Sequence, residues 1–335
     1  MLRPEDGRDR GQLLVIIALV LGMVFVALAI VVNAAIFTEN LATRETVDSE
    51  RTAAFTGDVE RALAVRYNRT NAKGSHTASD ASSTFDDTFR TWTDQRSNVS
   101  ATEGGFYDAD WTTHVGWRLN QSSDDSFAPA DNRDATEWTV VEDTRNVSML
   151  RLNVTRDDLH DASSASDVEN AFRLSISDGS MDWELYVFQD SNDIVVHQGT
   201  NPGGFASLSD LLSDSDTCKK RNTDRTVIDF LTLKVGDVKC PVLAFEDDLS
   251  GPVTIRYENV NVSGTERVNG TYTVVVNGSG AVPKTSGEPT HFNRSGEAPP
   301  TAAAVVYTVD YTTTYERADV EHHRKGRYAP RAELY

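Results

Sequence analysis

The sequence predicts an α+β protein: a single N-terminal transmembrane helix extended into a helical stalk, then a mainly antiparallel, sandwich-like β domain outside the membrane. Three observations carry that reading. Leu13 to Val32 is an apolar run without a charge. The chain beyond it keeps apolar side chains at helical spacings of three and four. From Gly104-Gly105 onward, short runs alternate apolar with polar residues and are punctuated by turn residues. The expected divisions are residues 1–11 as a cytoplasmic leader, 12–37 as the transmembrane helix, 38–100 as the helical stalk, and 101–335 as an extracellular β-rich domain closed by one disulfide.

The apolar run comes first because everything else is placed by it. As a helix it is roughly 30 Å long, the thickness of a bilayer's hydrocarbon core, so membrane lipid is the expected partner of residues 13–32. Arg3, Arg8 and Arg10 precede it, which favours a cytoplasmic N-terminus. Glu5, Asp6 and Asp9 do not reverse this, because the orientation rule counts Lys and Arg rather than net charge. The expected location is therefore a cell membrane, crossed once, with the bulk of the chain extracellular.

Ahead of the run stands Arg8-Asp9-Arg10-Gly11-Gln12, a basic patch closed by a glycine. It resembles the class III signal sequence of archaeal type IV pilins and archaellins. That resemblance implies a prepilin-peptidase-type processing enzyme that cuts between Gly11 and Gln12 and leaves the apolar helix in place. The bacterial pattern has a glutamate fifth in the mature helix, where this chain has Ile16. The segment Asn33 to Arg44, together with Arg10-Gly-Gln-Leu-Leu14, resembles a family of uncharacterised pilin-like surface proteins of salt-loving archaea whose members carry two distal cysteines. Two other readings of the N-terminus stay open: an uncleaved signal anchor, and a secretory signal cut near Val32-Asn33-Ala34, although the apolar run exceeds the length of an ordinary signal h-region.

Composition bounds the rest. The 335 residues hold 51 acidic and 32 basic groups, a formal charge of −19. Lys occurs only at 73, 219, 220, 234, 239, 284 and 325. An evenly acidic, Arg-over-Lys surface reads as halophilic, since at about 1 M salt the Debye length is only about 3 Å and self-repulsion costs little. The same distribution excludes nucleic acid as a partner, which needs stripes of Lys and Arg. The two cysteines, Cys218 and Cys240, both fall in the exported part and read as one disulfide closing a loop of about 23 residues, a contribution of roughly 3 kcal/mol in the chain-entropy account.

Taken in order, Glu39 to Arg51 interleaves charges, and Phe55, Val59, Ala62, Leu63 and Tyr67 form one helix face. Asn71 to Ser75 breaks the helix. A second helix is expected from a Ser83 cap, with Asp86 in the first turn and Phe85, Phe89 and Trp92 on one stripe. Strands follow at Leu150/Leu152/Val154, at Phe172/Leu174/Ile176 turning through Asp178-Gly179 into Trp183/Leu185/Val187, at Val253/Ile255/Tyr257, and from Val305 to Tyr315. Asn269-Gly270 is expected to turn a second hairpin between Val253 and Val276. Ala206 to Ser213 reads as a short helix before Cys218, Val282 to Pro300 as a long loop, and Tyr315 to Tyr328 as a charged edge strand. Six to nine strands in all are expected.

The chemistry-bearing motifs are mostly missing. GxSxG, Gx4GK[ST], GxGxxG and HExxH do not occur. His322-His323 sit on an expected strand, where neighbours point to opposite faces and cannot share an ion. Asp108/Asp110, Asp124/Asp125 and Asp190 to Asp193 lack EF-hand spacing. No cofactor, metal or catalytic residue is therefore expected. Nine sequons begin at Asn68, Asn98, Asn120, Asn146, Asn153, Asn261, Asn269, Asn277 and Asn293, all beyond the span and all candidates for N-glycosylation, with Asn269 and Asn277 expected to be accessible. The functional expectation is a membrane-anchored, pilin-like surface protein, structural or adhesive, whose partners are copies of itself or other surface proteins. The alternative is a signal-anchored extracellular binding or enzymatic module.

Overall fold

The structure is a computed structural model; it describes residues 6–245, 249, 251–262, 266–278, 282, 284–285, 288–317 and 320–329. Side chains of residues 6–13 and 36–53 lie outside this description, so Arg8, Arg10, Gly11, Gln12 and the Glu39–Arg51 charges are placed only on a helical backbone. The chain forms two compact units, Met1–Arg61 and Ala62–Tyr335. The first unit is helix α1 (Asp6–Lys73), whose last turns belong to the second. Leu14–Ala35 is the one helix among the described residues long and apolar enough to cross a membrane, and its side chains are exposed all round. A helix apolar on every side has no soluble face to present.

The end of the first helix and the helix after the break both belong to the second unit. Ala62, Leu63 and Tyr67 are buried there. α1 ends at Lys73, and Gly74, at φ +63°, leads out of it with no room for a Cβ, which would lie 2.7 Å from Ala303 Cβ. The second helix, α2 (Ala78–Thr102), begins five residues before the expected Ser83 cap. Thr77 caps it instead, its hydroxyl accepting from Asp80 N at 3.1 Å, while Ser83 bonds Asp80 O from inside the first turns. Phe85 and Phe89 are buried as the stripe required.

The strands are β1 (Phe106–Ser126), β2 (Glu137–Thr144), β3 (Val147–Thr155), β4 (Phe172–Ser177), β5 (Asp182–Asp190), β6 (Asp193–Gln198), β7 (Thr217–Lys220), β8 (Arg225–Asp229), β9 (Lys234–Val235), β10 (Val238–Lys239), β11 (Val253–Glu258), β12 (Asn261–Val262), β13 (Glu266–Arg267), β14 (Asn269–Asn277), β15 (Lys284–Thr285), β16 (Glu288–Pro289), β17 (Asn293–Arg294), β18 (Thr301–Arg317) and β19 (Val320–Tyr328). A nine-stranded sheet runs β10-β9-β8-β3-β14-β1-β18-β17, with β19 added on β18, and a six-stranded sheet runs β2-β11-β4-β5-β6-β7. That exceeds the six to nine strands expected. Several are two-residue pieces with no periodicity to read, and β1, β2 and β6 to β8 add to the strands expected from alternation. Among the described strands every pairing is antiparallel except β17 with β18.

The Asp178-Gly179 hairpin forms as expected, with Phe172 opposite Val187 and Ile176 opposite Trp183, and Asp178 Oδ1 accepting from the Ser180 and Met181 N–H groups. The second expected hairpin does not form. β11 lies in the six-stranded sheet and β14 in the nine-stranded one, and Asn269-Gly270 is the start of β14. Gly270 is needed for close approach: a Cβ there would stand 2.0 Å from Asn153 O on β3. The short helix appears as α3 (Leu208–Leu212), capped by Ser207. Parts of the Val282–Pro300 loop lie outside the described residues.

Inward side chains of both sheets meet in one core. Leu119, Leu150, Leu152, Tyr272 and Val274 from the larger sheet join Val140, Leu174, Ile176, Leu185 and Ile255 from the smaller. Aromatic rings span it, with Tyr257 and Tyr272 at 5.4 Å and Phe127 and Phe172 at 5.5 Å between centroids. The Cys218–Cys240 disulfide is present. Cys218 lies in β7, the end strand of the smaller sheet, and Cys240 directly follows β10, the end strand of the larger, so the bond joins the two sheet edges.

Candidate functional site

The helices cover one face of the β1/β18 ladder and leave the other open. On the covered face, Asp86 Oδ1 accepts from Trp111 Nε1 at 2.8 Å and from the Thr113 hydroxyl at 2.7 Å, and Phe89 meets the Trp111 ring edge-on at 4.9 Å. Asp86, expected only as a first-turn acid, is therefore the polar pin between α2 and β1. The end of α1 is pinned to β18. Asn71 donates to Val306 O and accepts from Val306 N, both at 2.8 Å, beside the register shift where β18 carries one extra residue, Tyr307, against β1.

The open face carries Asp110, Thr112 and His114 from β1, Asp310 and Thr312 from β18, and Lys325 and Arg327 from β19, brought side by side by the register. A shallow concavity of about 840 Å³ lies here. Asp310 bonds Arg327 Nε at 2.6 Å and His114 Nε2 at 2.9 Å, and these two partners hold its carboxyl well below the ordinary range. Further along β18 and β19, Thr314 Oγ1 lies 2.9 Å from His323 Nδ1, and His323 Nε2 lies 2.7 Å from Glu321 Oε1. Glu316 completes an exposed group whose ligand atoms lie within 4.8 Å of one another. His322 and His323 pair opposite Tyr315 and Thr314 respectively, so the two imidazoles take opposite faces as the strand period required.

The Asp-rich spots do not converge. Asp124 pairs with Arg225, Asp125 with Arg133, and Asp190 and Asp193 share Lys219 at 2.7 and 3.4 Å. These four carboxylates are each met by a cation rather than aimed at a common centre. The sequons scatter by burial. Asn98 and Asn146 are exposed, Asn68, Asn120, Asn153, Asn269, Asn277 and Asn293 are half-buried, and Asn261 is buried at 5 % exposure. Ser263 and Ser279, the hydroxyl residues of the Asn261 and Asn277 sequons, lie outside the described residues.

A second concavity, about 260 Å³ and mostly apolar, lies between the start of β3 and the segment after β8, lined by Met149, Leu150, Phe230 and Leu243 among others. No family model, curated protein or solved structure matches the chain. The polar face on β1, β18 and β19 was not legible beforehand. Its residues come from stretches some two hundred positions apart, and only their register makes them neighbours.

Proposed function

We propose that this is a membrane-anchored cell-surface protein of pilin-like type, structural or adhesive, whose sandwich-like β domain lies outside the cell and contacts other surface proteins or copies of itself. The observation that carries the reading is the pairing of an all-round apolar N-terminal helix with a disulfide-closed β unit. A disulfide persists in an oxidising compartment, which the far side of a membrane supplies. The open face fits such a role: threonines and ion pairs on a broad, shallow surface give hydrogen bonding without enclosing a small molecule. The test is the mature N-terminus, measured by mass spectrometry of membrane and cell-surface fractions. A start at Gln12, abolished in Gly11→Val while the protein still inserts, supports the pilin-like reading. A start at Met1 leaves a plain signal anchor, and one near Ala35 a secreted protein.

The chain Thr314–His323–Glu321 favours a second reading, an anchored hydrolytic module, because hydroxyl, imidazole and carboxylate are linked in the order a nucleophile, base and orienting acid require. Against it, the His323 and Glu321 side chains are 56 % and 69 % exposed, so water is not excluded and field effects are weak. Ester hydrolysis by the purified protein that disappears in Thr314→Val would establish the second reading.

A further inference from the structure

A sequon needs two groups, the asparagine amide that takes the sugar and the hydroxyl two residues on, and the fold decides whether both face the same way. In a strand, residues i and i+2 share a face. In a helix, at 3.6 residues per turn, they diverge by about 200°. The helical sequons show the consequence: Asn98 is exposed on α2 while Ser100 is 2 % exposed, and Asn68 on α1 is followed by Thr70 at 4 %.

The strand sequons divide further. Asn120 and Ser122 on β1 lie on the outward side, half-buried and exposed, with Gln121 between them fully buried. The Thr273 hydroxyl bonds Asn120 Oδ1 at 3.1 Å, which turns the amide nitrogen away from β14. Asn269 and Thr271 on β14 are both half-buried on the same outward side, flanking buried Gly270. Four of the other sequons each lose one requirement, and that of Asn277 ends at Ser279, outside the described residues. Asn153 is followed by Thr155, whose hydroxyl is enclosed. Ser148, after Asn146, gives its hydroxyl to Val275 O. Asn293 gives its amide to Ala298 O at 2.7 Å. Asn261 is buried.

We infer that the folded domain is N-glycosylated at Asn120 and Asn269, making the outward face of β1 and β14 its carbohydrate-bearing side, and that Asn68, Asn98 and Asn261 stay bare. The inference rests on the surface reading above. The co-reactant is a glycosyl phosphate or pyrophosphate. The asparagine Nδ2 forms a bond to the anomeric carbon, the bond from that carbon to the phosphate oxygen breaks with its electron pair leaving on phosphate, and one amide proton passes to a base of the transferring enzyme. At about 3.3 Å per strand residue and about 4.8 Å between strands, the register places the two acceptors roughly 14 Å apart, room for two separate chains.

The experiment uses full-length protein from its own cells, labelled intact with a membrane-impermeant amine reagent, then extracted and mapped by glycopeptide mass spectrometry. The expected result is label on the protein, glycan mass on the Asn120 and Asn269 peptides, unmodified Asn68, Asn98 and Asn261 peptides, and loss of one glycan mass in each of Asn120→Gln and Asn269→Gln. Labelled protein with either Asn120 or Asn269 bare, or with glycan on Asn68, Asn98 or Asn261, overturns the inference alone. Protein that the reagent cannot reach overturns the surface reading and this inference with it.

Discussion

Asn71 offers the sharpest test of how the helices are held on the sheet. Its side chain is 2 % exposed and makes paired hydrogen bonds to the N–H and C=O of Val306, and its own carbonyl accepts from Arg118 at 2.7 Å. Asn71→Ala removes only the side-chain pair and leaves a buried backbone donor and acceptor next to the Tyr307 bulge. An orphaned buried group costs about 1–3 kcal/mol, so two of them cost about 3 kcal/mol after partial relaxation. In a domain of this size that corresponds to a fall in Tm of roughly 6–12 °C. The measurement is thermal melting in detergent, followed by near- and far-UV circular dichroism. Val65→Ala, on the same helix but 54 % exposed, is the control and is expected within about 0.5 kcal/mol of wild type. If Asn71→Ala melts with the control, the bulge finds other partners and the pinning account is wrong.

The remaining predictions are shorter. Asp86→Ala breaks the bonds from Trp111 and Thr113 and is expected to cost about 2–3 kcal/mol, with a change in tryptophan emission as the α2 contact loosens; an unaltered spectrum and midpoint would count against it. Replacing both cysteines with serine frees the two sheet edges and is expected to lower stability by roughly 3 kcal/mol, read as a lower urea midpoint. Both thiols alkylating without prior reduction would deny the bond altogether. Burial of the His197 imidazole, 2 % exposed, lowers its proton affinity, with Asp214 and Asp216 opposing in part. The unfolded chain therefore binds the extra proton first, and stability falls as pH drops below about 6.5. His197→Gln is expected to flatten that slope between about pH 7 and about pH 5, where the carboxylates are still ionised. Finally, dilution from about 1 M salt to about 0.01 M lengthens the screening distance from about 3 Å to about 30 Å. With 51 acidic against 32 basic residues, Tm is expected to fall, and a constant Tm across that range would leave the acidity needing another cause.

Much was legible in the sequence alone. An uncharged apolar run long enough to span a bilayer can only be a helix there, because a strand or loop would leave its backbone groups unpaired. The helical stripe ending at Tyr67, the Asp178-Gly179 hairpin and the pairing of the only two cysteines are likewise local or forced by number. What the tertiary structure decided is partnership. Alternation tells which side of a strand is apolar but not which sheet it joins, so Val253 to Tyr257 and Thr271 to Val276 looked like one hairpin and fall in two sheets. A glycine reads as a turn because it lacks a Cβ, whereas at Gly270 the missing Cβ makes way for the Asn153 carbonyl of the neighbouring strand. Asn71 and Val306, 235 positions apart, carry no mutual signal at all. Their pairing exists only because a bulge in one long strand leaves backbone groups that a helix end, arriving from elsewhere in the chain, must satisfy.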